Sequence, residues 1–185
     1  TEVKAALDQA IERVVILENL NTNNPSDNIV YVSDTGSDVA GEYEIGNPLK
    51  PFLTIQAAVN AMPTNNGILK VLGGDYYNEE VTLNEAASNC IYDFGGCRID
   101  LLTALFTTVQ DNNNIILNCR MDNATGEVNL RATFIDRLIM INHNQGLIID
   151  SKNCSNSTFS GPRSIATFAA LNDTFYKTFT NCKMI

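Results

Sequence analysis

Alternating hydrophobic and polar positions predict short β-strands through most of this chain. Residues 29–32 read Ile-Val-Tyr-Val, and residues 67–72 and 80–83 form two further strand-like runs separated by a Gly-Gly-Asp turn. After residue 83 no helical spacing is present, and apolar runs follow at 115–117, 138–141 and 147–149 between clusters of Asn, Gly and Asp. This pattern predicts a mainly β chain.

One short helix is predicted between the first two strands. Four apolar residues of the segment 52–63 recur at helical spacing and would share one face: Ile55, Ala58, Val59 and Met62. Thr54 can cap the first turn, and Pro63 stops the helix because a proline ring disfavours the helical conformation in the residue before it.

A second helix is predicted at the start of the chain, over residues 3–20, which contain neither Gly nor Pro. Its apolar residues alternate in steps of four and three, as in a coiled-coil seam: Val3, Leu7, Ala10, Val14 and Leu17. Ile11 and Leu20 widen this seam, and a helix of this length is marginal alone. Either it folds back onto its own domain or, as we expect, residues 1–21 form a trimerisation stalk, joined by a polar linker at 22–28 to a β domain at 29–185.

The charge and composition exclude several partners. The net charge is −9, whereas phosphate binding needs clustered Lys and Arg, so we expect no nucleic-acid partner. The charge also argues mildly against a polyanionic sugar, unless metal ions bridge the charges. No apolar run approaches the length of a membrane-spanning helix, so we expect a soluble protein with no membrane partner. Because the chain opens at Thr1, we expect it to be a piece of a longer or processed protein.

Asparagine is unusually frequent, with 24 of 185 residues, and it suits repeated tight turns. The dipeptide Asn-Cys occurs four times, at 89–90, 118–119, 153–154 and 181–182. Such a repeat favours a stacked solenoid in which Asn118, Asn153 and Asn181 occupy equivalent turns as a structural ladder; the alternative is chance repetition in an Asn-rich chain. The odd number of cysteines, five, predicts free thiols.

The segments "YVSDTGSD", "PFLTIQAAVNAMP" and "GILKVLGGDYYNEEVTL" together resemble the opening of right-handed parallel β-helix proteins of the pectin-lyase-like superfamily. The positions that carry the resemblance cover about a third of the chain: Phe52, Thr54, Ile55, Gln56, Ala58, Val59, Ala61, Gly74, Tyr76, Val81 and Leu83. The resemblance implies a right-handed parallel β-helix with an N-terminal cap helix. It does not specify a function, since carbohydrate lyases, esterases and viral tailspikes share this opening.

Catalytic signals are weak, and we expect no catalytic residue, metal or cofactor. The sole histidine, His143, sits in a turn-like stretch. Asp122 and Asp150 are 28 residues apart, close to the Asn-Cys spacing, so they could be neighbours on adjacent coils, although we favour the interpretation that they are ordinary solvated turn aspartates. Four acidic residues could hold calcium or form a plain acidic loop: Asp34, Asp38, Glu42 and Glu44. Four arginines look scattered: Arg98, Arg120, Arg131 and Arg137.

The order of stalk, polar hinge and Asn-rich β-helix resembles bacteriophage tailspike and tail-fibre proteins. This resemblance implies a homotrimer on the virion surface, outside the cell, that contacts other virion proteins and links them to a distal receptor-binding part. A host-surface polysaccharide is a further possible partner, and tyrosines such as Tyr76, Tyr77 and Tyr92 could bind a neutral or weakly charged glycan weakly. Two alternatives stay open: a polysaccharide-degrading β-helix enzyme (lyase or glycosidase) and a bacterial surface adhesin.

Overall fold

The computed structural model describes residues 25–105, 112–122, 128–141, 147–160, 166–167 and 178–184. Both the predicted stalk seam (Val3, Leu7, Ala10, Val14 and Leu17) and His143 lie outside the described residues.

Within these ranges the chain forms one short 3-10 turn, one α-helix and fourteen strands. The turn covers Pro25–Asn28 and helix α1 covers Ile55–Ala61. The strands are β1 Ile29–Val32, β2 Ile68–Val71, β3 Tyr76–Thr82, β4 Ile91–Asp93, β5 Arg98–Leu105, β6 Ile115–Leu117, β7 Arg120–Asp122, β8 Val128–Asp136, β9 Ile139–Ile141, β10 Leu147–Ser155, β11 Thr158–Phe159, β12 Ala166–Thr167, β13 Thr178–Thr180 and β14 Lys183–Met184.

Every strand pairing among the described residues is parallel, and each strand pairs with its counterparts in neighbouring coils. A first stack contains β1, β2, β4, β6 and the C-terminal ends of β8 and β10, followed by β13. A second stack contains the starts of β3 and β5, then β7, β9, β11 and β14. A third combines the ends of β3 and β5 with the starts of β8 and β10, and with β12. The chain is therefore a parallel β-solenoid, which confirms the mainly β, stacked reading of the sequence.

The core consists of columns of apolar side chains at matched register positions. The first stack buries one residue per strand in a single column: Val30, Leu69, Tyr92, Ile116, Ile135 and Cys154. The second stack does the same with Tyr77, Ile99, Met121, Met140 and Phe159. β-Branched and aromatic residues suit such positions because they pack well on a pleated surface. Burying each of these large side chains contributes roughly 1.5–3 kcal/mol relative to exposure.

Helix α1 begins and ends where the sequence predicts. The Thr54 hydroxyl accepts a hydrogen bond from the Ala57 amide at 3.3 Å. At the other end, the Met62 amide donates to the Ala58 carbonyl, and Pro63 follows directly. The helix buries Ile55, Ala58 and Val59 against the first coil.

Gln56, one of the residues on which the resemblance rests, hydrogen-bonds helix α1 to the backbone of β3. Its side-chain amide donates to the Thr82 carbonyl at 3.2 Å and accepts from the Thr82 amide at 2.7 Å, as a neighbouring strand would. Phe52, four residues before Gln56, is buried, and its ring stacks on that of Tyr43 with centroids 4.1 Å apart. These contacts give the sequence "PFLTIQAA" a local structural meaning.

Two glycines permit close backbone approaches at the turns. A Cβ at Gly36 would collide with the Phe52 carbonyl, so only glycine fits the turn after β1. Gly95 has φ of 63°, and a Cβ there would lie 2.6 Å from the Val71 carbonyl oxygen. The Gly95-Gly96 pair therefore makes a tight corner after β4.

Candidate functional site

The corner between the first and second stacks is built from residues with left-handed backbone conformation. Asn118, Arg137, Asn156 and Asn181 follow the register-matched residues Leu117, Asp136, Ser155 and Thr180, with φ values of 55°, 55°, 49° and 54°. Asparagine adopts this conformation at lower cost than most residues, which explains its frequency here.

The structure brings Asn118 and Asn181 to equivalent turns but places Asn153 elsewhere. Asn153 lies within β10, where its Cα pairs with those of Phe134 and Thr178, and Asn156 occupies the turn instead. The Asn-Cys spacing misplaces it because the coils differ in length: Asp136 and Ser155 are 19 residues apart, whereas Asn156 and Asn181 are 25 apart. Two short coils therefore fit between Asn118 and Asn156.

Side-chain amides connect the coils along two corners. At the first corner the Asn181 amide donates to the Asn156 side-chain oxygen at 3.3 Å, and the Asn156 amide donates to the Asp136 carboxylate at 2.8 Å. At the corner that precedes β4 and β6, the Asn113 amide donates to Asn89 at 3.1 Å and the Asn89 amide donates to Asn65 at 3.2 Å. Asn89, the first of the Asn-Cys asparagines, thus belongs to a different corner.

Three arginines converge beside the first of these corners, where two clefts adjoin. One cleft of about 290 Å³ is lined by Asp75, Tyr76, Gly96, Arg98 and Arg120. The second, of about 240 Å³, shares Gly96 and Arg120 and adds Asn118, Cys119, Arg137, Ile139 and Asn156. We call Arg98, Arg120 and Arg137 the arginine corner. The interpretation that these arginines are scattered is therefore wrong for all but Arg131, which lies in the third stack.

Register explains the convergence. Arg98 and Arg120 are direct Cα partners on β5 and β7, and Arg137 precedes the next strand of the same stack by two residues. Neighbouring parallel strands lie about 4.8 Å apart, so the first two arginine side chains project side by side. Lys183 occupies the same register column three strands beyond Arg120, and its side chain is exposed.

An aromatic side chain completes one end of the corner. The Arg98 guanidinium lies 4.2 Å from the centroid of the Tyr76 ring, a cation–π contact, and the Tyr76 hydroxyl donates to Asp100. That hydrogen bond raises the pKa of Tyr76, so its hydroxyl stays protonated at neutral pH. Tyr77 and Tyr92 are buried, which leaves Tyr76, 44% exposed, as the surface member of the three tyrosines expected to contact sugar.

Asp136 fixes the other end of the corner. Its carboxylate accepts from the Ser155 hydroxyl at 2.6 Å and the Asn156 amide at 2.8 Å, and it forms an ion pair with Arg137 at 2.9 Å. The hydrogen bond from Ser155 is the main cause that lowers the pKa of Asp136; the Asn156 amide and Arg137 act in the same direction. Asp136 thus remains ionised and serves as a structural acceptor.

The two aspartates considered as an acid pair are held apart by the fold. The Asp122 Cα pairs with that of Ile141 in the second stack, whereas Asp150 pairs with Arg131 in the third. Asp150 is 8% exposed and forms an ion pair with the Arg131 Nε at 3.2 Å. They are not register neighbours, because the true coil lengths differ from the spacing that suggested the pairing.

The acidic loop after β1 distributes its carboxylates among separate contacts. Asp38 accepts from the Leu53 and Thr54 amides at 2.9 and 3.2 Å, Glu42 accepts from the Ser37 hydroxyl, and Glu44 forms an ion pair with Lys50 at 3.1 Å. Across the described residues, no group of three or more His, Cys, Asp or Glu side chains could hold a metal ion. The same residues include no helix with the length and apolar character needed to cross a membrane.

A sequence signal for the arginine corner exists in the short repeat Cys-Arg-Ile-Asp, Cys-Arg-Met-Asp and Cys-Lys-Met-Ile at 97–100, 119–122 and 182–185. Its first two members are aligned in register, and the third falls in the same column. The Asn-Cys dipeptides at 118–119 and 181–182 end at the cysteine that begins a repeat unit. They do not include the basic residue that follows, so this position was missed.

Comparisons of this chain with protein-family models, curated protein sequences and solved structures found no match.

Proposed function

We propose that this chain is a structural segment of a trimeric bacteriophage tailspike or tail fibre, in which it links the virion to a distal part that binds the host receptor. The observation that carries the proposal is the uniform parallel stacking of strands, with side-chain amides connecting successive coils along the corners. Such a stack is a stiff rod that separates two ends, which is what an attachment spike requires. The resemblance of its opening to right-handed parallel β-helix proteins of the pectin-lyase-like superfamily supports the same reading.

The use of the carboxylates also supports a structural role. Asp136 and Asp150 are tied to arginines, and Asp38 bonds to the backbone before helix α1. Sugar hydrolysis instead needs two carboxyl groups facing one bond, one protonated and one ionised.

Trimer formation is tested by sedimentation equilibrium of the purified full chain. We expect a species three times the 20.3 kDa mass of one chain. Placing charges in the predicted seam with Leu7→Asp and Val14→Asp should shift it to monomer while the β-sheet circular dichroism persists. A matched control changes polar residues of the same segment, Glu12→Gln and Glu18→Gln. A monomeric or dimeric intact chain at micromolar concentration would overturn the trimer.

The placement on a virion is tested by immunogold electron microscopy. Antibodies raised against the purified chain should label the tail of virions whose genome encodes it. Labelling confined to a bacterial cell surface would favour the adhesin instead. Sustained release of reducing ends or unsaturated products from a host polysaccharide would favour the enzyme.

A second candidate function, weak binding of an acidic polysaccharide, is favoured by the arginine corner. Arg120 and Arg137 are exposed, and guanidinium groups bind carboxylates in a bidentate manner. We expect polygalacturonate, but not neutral dextran, to bind in isothermal calorimetry, with affinity falling as salt rises. The double variant Arg120→Gln/Arg137→Gln should reduce binding at least tenfold. The control Lys70→Gln removes one positive charge from an exposed position of β2 and should leave binding unchanged. Equal binding by the double variant would exclude the arginine corner as the site.

A further inference from the structure

Two thiols approach each other closely near the C-terminal end of the described solenoid. Cys154 lies in β10, and Cys182 lies just after β13, the strand that pairs with the end of β10. Their sulfur atoms are 3.7 Å apart, although the residues are separated by 28 positions in sequence. The Cys182 thiol is also 3.4 Å from the Cys154 carbonyl oxygen. The pair therefore bridges two successive coils.

This pair differs from the other cysteines of the chain in its accessibility. All five cysteines are described and all are free thiols; four are buried, and Cys182 is half-buried. Cys97 and Cys119 also lie on successive coils, one residue before the partners Arg98 and Arg120, but both are buried. The Cys90 thiol faces three backbone carbonyls, those of Pro63, Thr64 and Ser88. Cys182 is therefore the one cysteine that is partly accessible to solutes, and its sulfur lies close to that of Cys154.

The geometry needs only a small adjustment to form a bond. A disulfide places its sulfurs about 2.05 Å apart, so the sulfurs must approach by less than 2 Å, a displacement within reach of side-chain rotation. Cys182 lies in the turn between the two short strands β13 and β14, and it is only half-buried.

We propose that Cys154 and Cys182 are a redox-active pair, and that a small-molecule disulfide of the glutathione class converts them into a disulfide that joins the two coils. The Cys182 thiolate attacks one sulfur of oxidised glutathione, forms a mixed disulfide and releases one glutathione thiolate. The Cys154 thiol loses its proton to solvent, and its thiolate attacks the Cys182 sulfur and displaces the second glutathione thiolate. Two protein thiols are oxidised, and one oxidised glutathione is reduced to two thiols.

Burial determines the order and the rate of these steps. Burial raises the pKa of Cys154 to about 12, so its thiolate is scarce at neutral pH, and Cys182 reacts first. The second step is accordingly the slow one, and it accelerates as pH rises because more of Cys154 is ionised.

The bond would join two successive coils covalently. In a solenoid each coil is stabilised mainly by contacts with its neighbours, and single coils can open locally. A crosslink across 28 residues restricts the open state and favours the closed one. The oxidised chain therefore holds its last described coil in place, and a reducing solution releases it.

The experiment treats the full chain with oxidised glutathione at about pH 8, blocks the remaining thiols and maps the peptides by mass spectrometry without reduction. We expect a peptide pair linked through Cys154 and Cys182 within one chain, and a melting temperature about 5 °C higher than that of the reduced chain. Dithiothreitol should reverse both changes. Because a linked dimer would also connect these cysteines, non-reducing electrophoresis must show the band of a single chain.

Variants separate this pair from general thiol oxidation. Cys182→Ser, at the half-buried position, should fold and lose both the link and the shift in melting temperature, and Cys154→Ser should carry only a glutathione adduct at Cys182. Cys97→Ser is the control and should still form the link. A persistent glutathione adduct at Cys182 in the unaltered chain, links involving other cysteines, or a link without any change in melting temperature would overturn the proposal.

Discussion

Single side chains that bond to the backbone stabilise this solenoid at positions where strand pairing is interrupted. The loop between β1 and α1 carries no strand, yet Asp38 accepts from two of its amides, and Glu79 of β3 accepts from the Ile55 and Gln56 amides at 2.8 and 3.0 Å. These amides belong to the first turn of α1 and have no acceptor within the helix. Acidic residues here therefore replace the missing backbone acceptors.

Removing the Glu79 carboxylate should destabilise the first coil. Glu79→Ala leaves two amides of α1 without their acceptor, and we expect the free energy of unfolding to fall by about 1–2 kcal/mol. The neighbouring Glu80 has an exposed side chain, so Glu80→Ala is the matched control and should change stability by less than about 0.5 kcal/mol. Urea unfolding followed by circular dichroism measures both. Equal effects of the two substitutions would show that the contact of Glu79 with α1 contributes nothing.

Because of Asp136, the free energy of unfolding should decrease as the pH falls below about 4. Its hydrogen bond from Ser155 lowers its pKa in the folded state below the ordinary value of 3.8. A lowered folded pKa contributes stability that is complete above the unfolded value and is lost as pH falls through the folded one. Asp136→Asn should therefore cost about 1 kcal/mol near neutral pH, and the difference from the unaltered chain should shrink as pH falls below about 4. Asp75→Asn, at an exposed site, serves as the control in urea titrations across this range.

At the scale of elements, the backbone conformation of the turns repeats from coil to coil, whereas the sequence and the coil length do not. The strands entering and leaving the first corner keep their register while coil length varies from 19 to 25 residues. The helix and the runs at 115–117, 138–141 and 147–149 are predictable because Thr54, Pro63 and the uninterrupted apolar runs are local signals. Asn153 was misassigned because a dipeptide contains no information on backbone φ, and the arginine corner was missed because unequal coils conceal which residues align.

The left-handed turn at Asn156 should contribute more to stability than the strand position of Asn153. Asn156→Ala introduces strain at φ of 49° and removes the bonds to Asp136 and from Asn181, so we expect a loss of about 1–2 kcal/mol. Asn156→Gly relieves the strain and should cost about half as much. Asn153→Ala, on an exposed side chain in β10, should change stability by less than about 0.5 kcal/mol. Denaturation midpoints of the three variants rank these positions, and a larger effect at Asn153 would contradict the structural assignment.

For the whole molecule, the stack of parallel coils determines how a local defect spreads. Contacts between strands connect each coil with the one before and the one after, so stability is close to a sum over neighbouring coils. The apolar columns of the first and second stacks run through every such interface. A cavity in the middle of a column weakens two interfaces at once, whereas the same deletion on the surface weakens none.

Truncating Ile116 should therefore destabilise the whole solenoid. Its side chain is fully buried, and its strand lies between those of Tyr92 and Ile135, so Ile116→Ala should reduce the free energy of unfolding by about 2–5 kcal/mol. Ile139→Ala removes the same atoms from a side chain that is 37% exposed, and we expect a loss of about 1 kcal/mol or less. Hydrogen exchange should reveal faster opening in the coils on both sides of Ile116, because both of its interfaces lose contacts. Acceleration confined to β6, or equal costs for the two substitutions, would show that the coils are stabilised independently of one another.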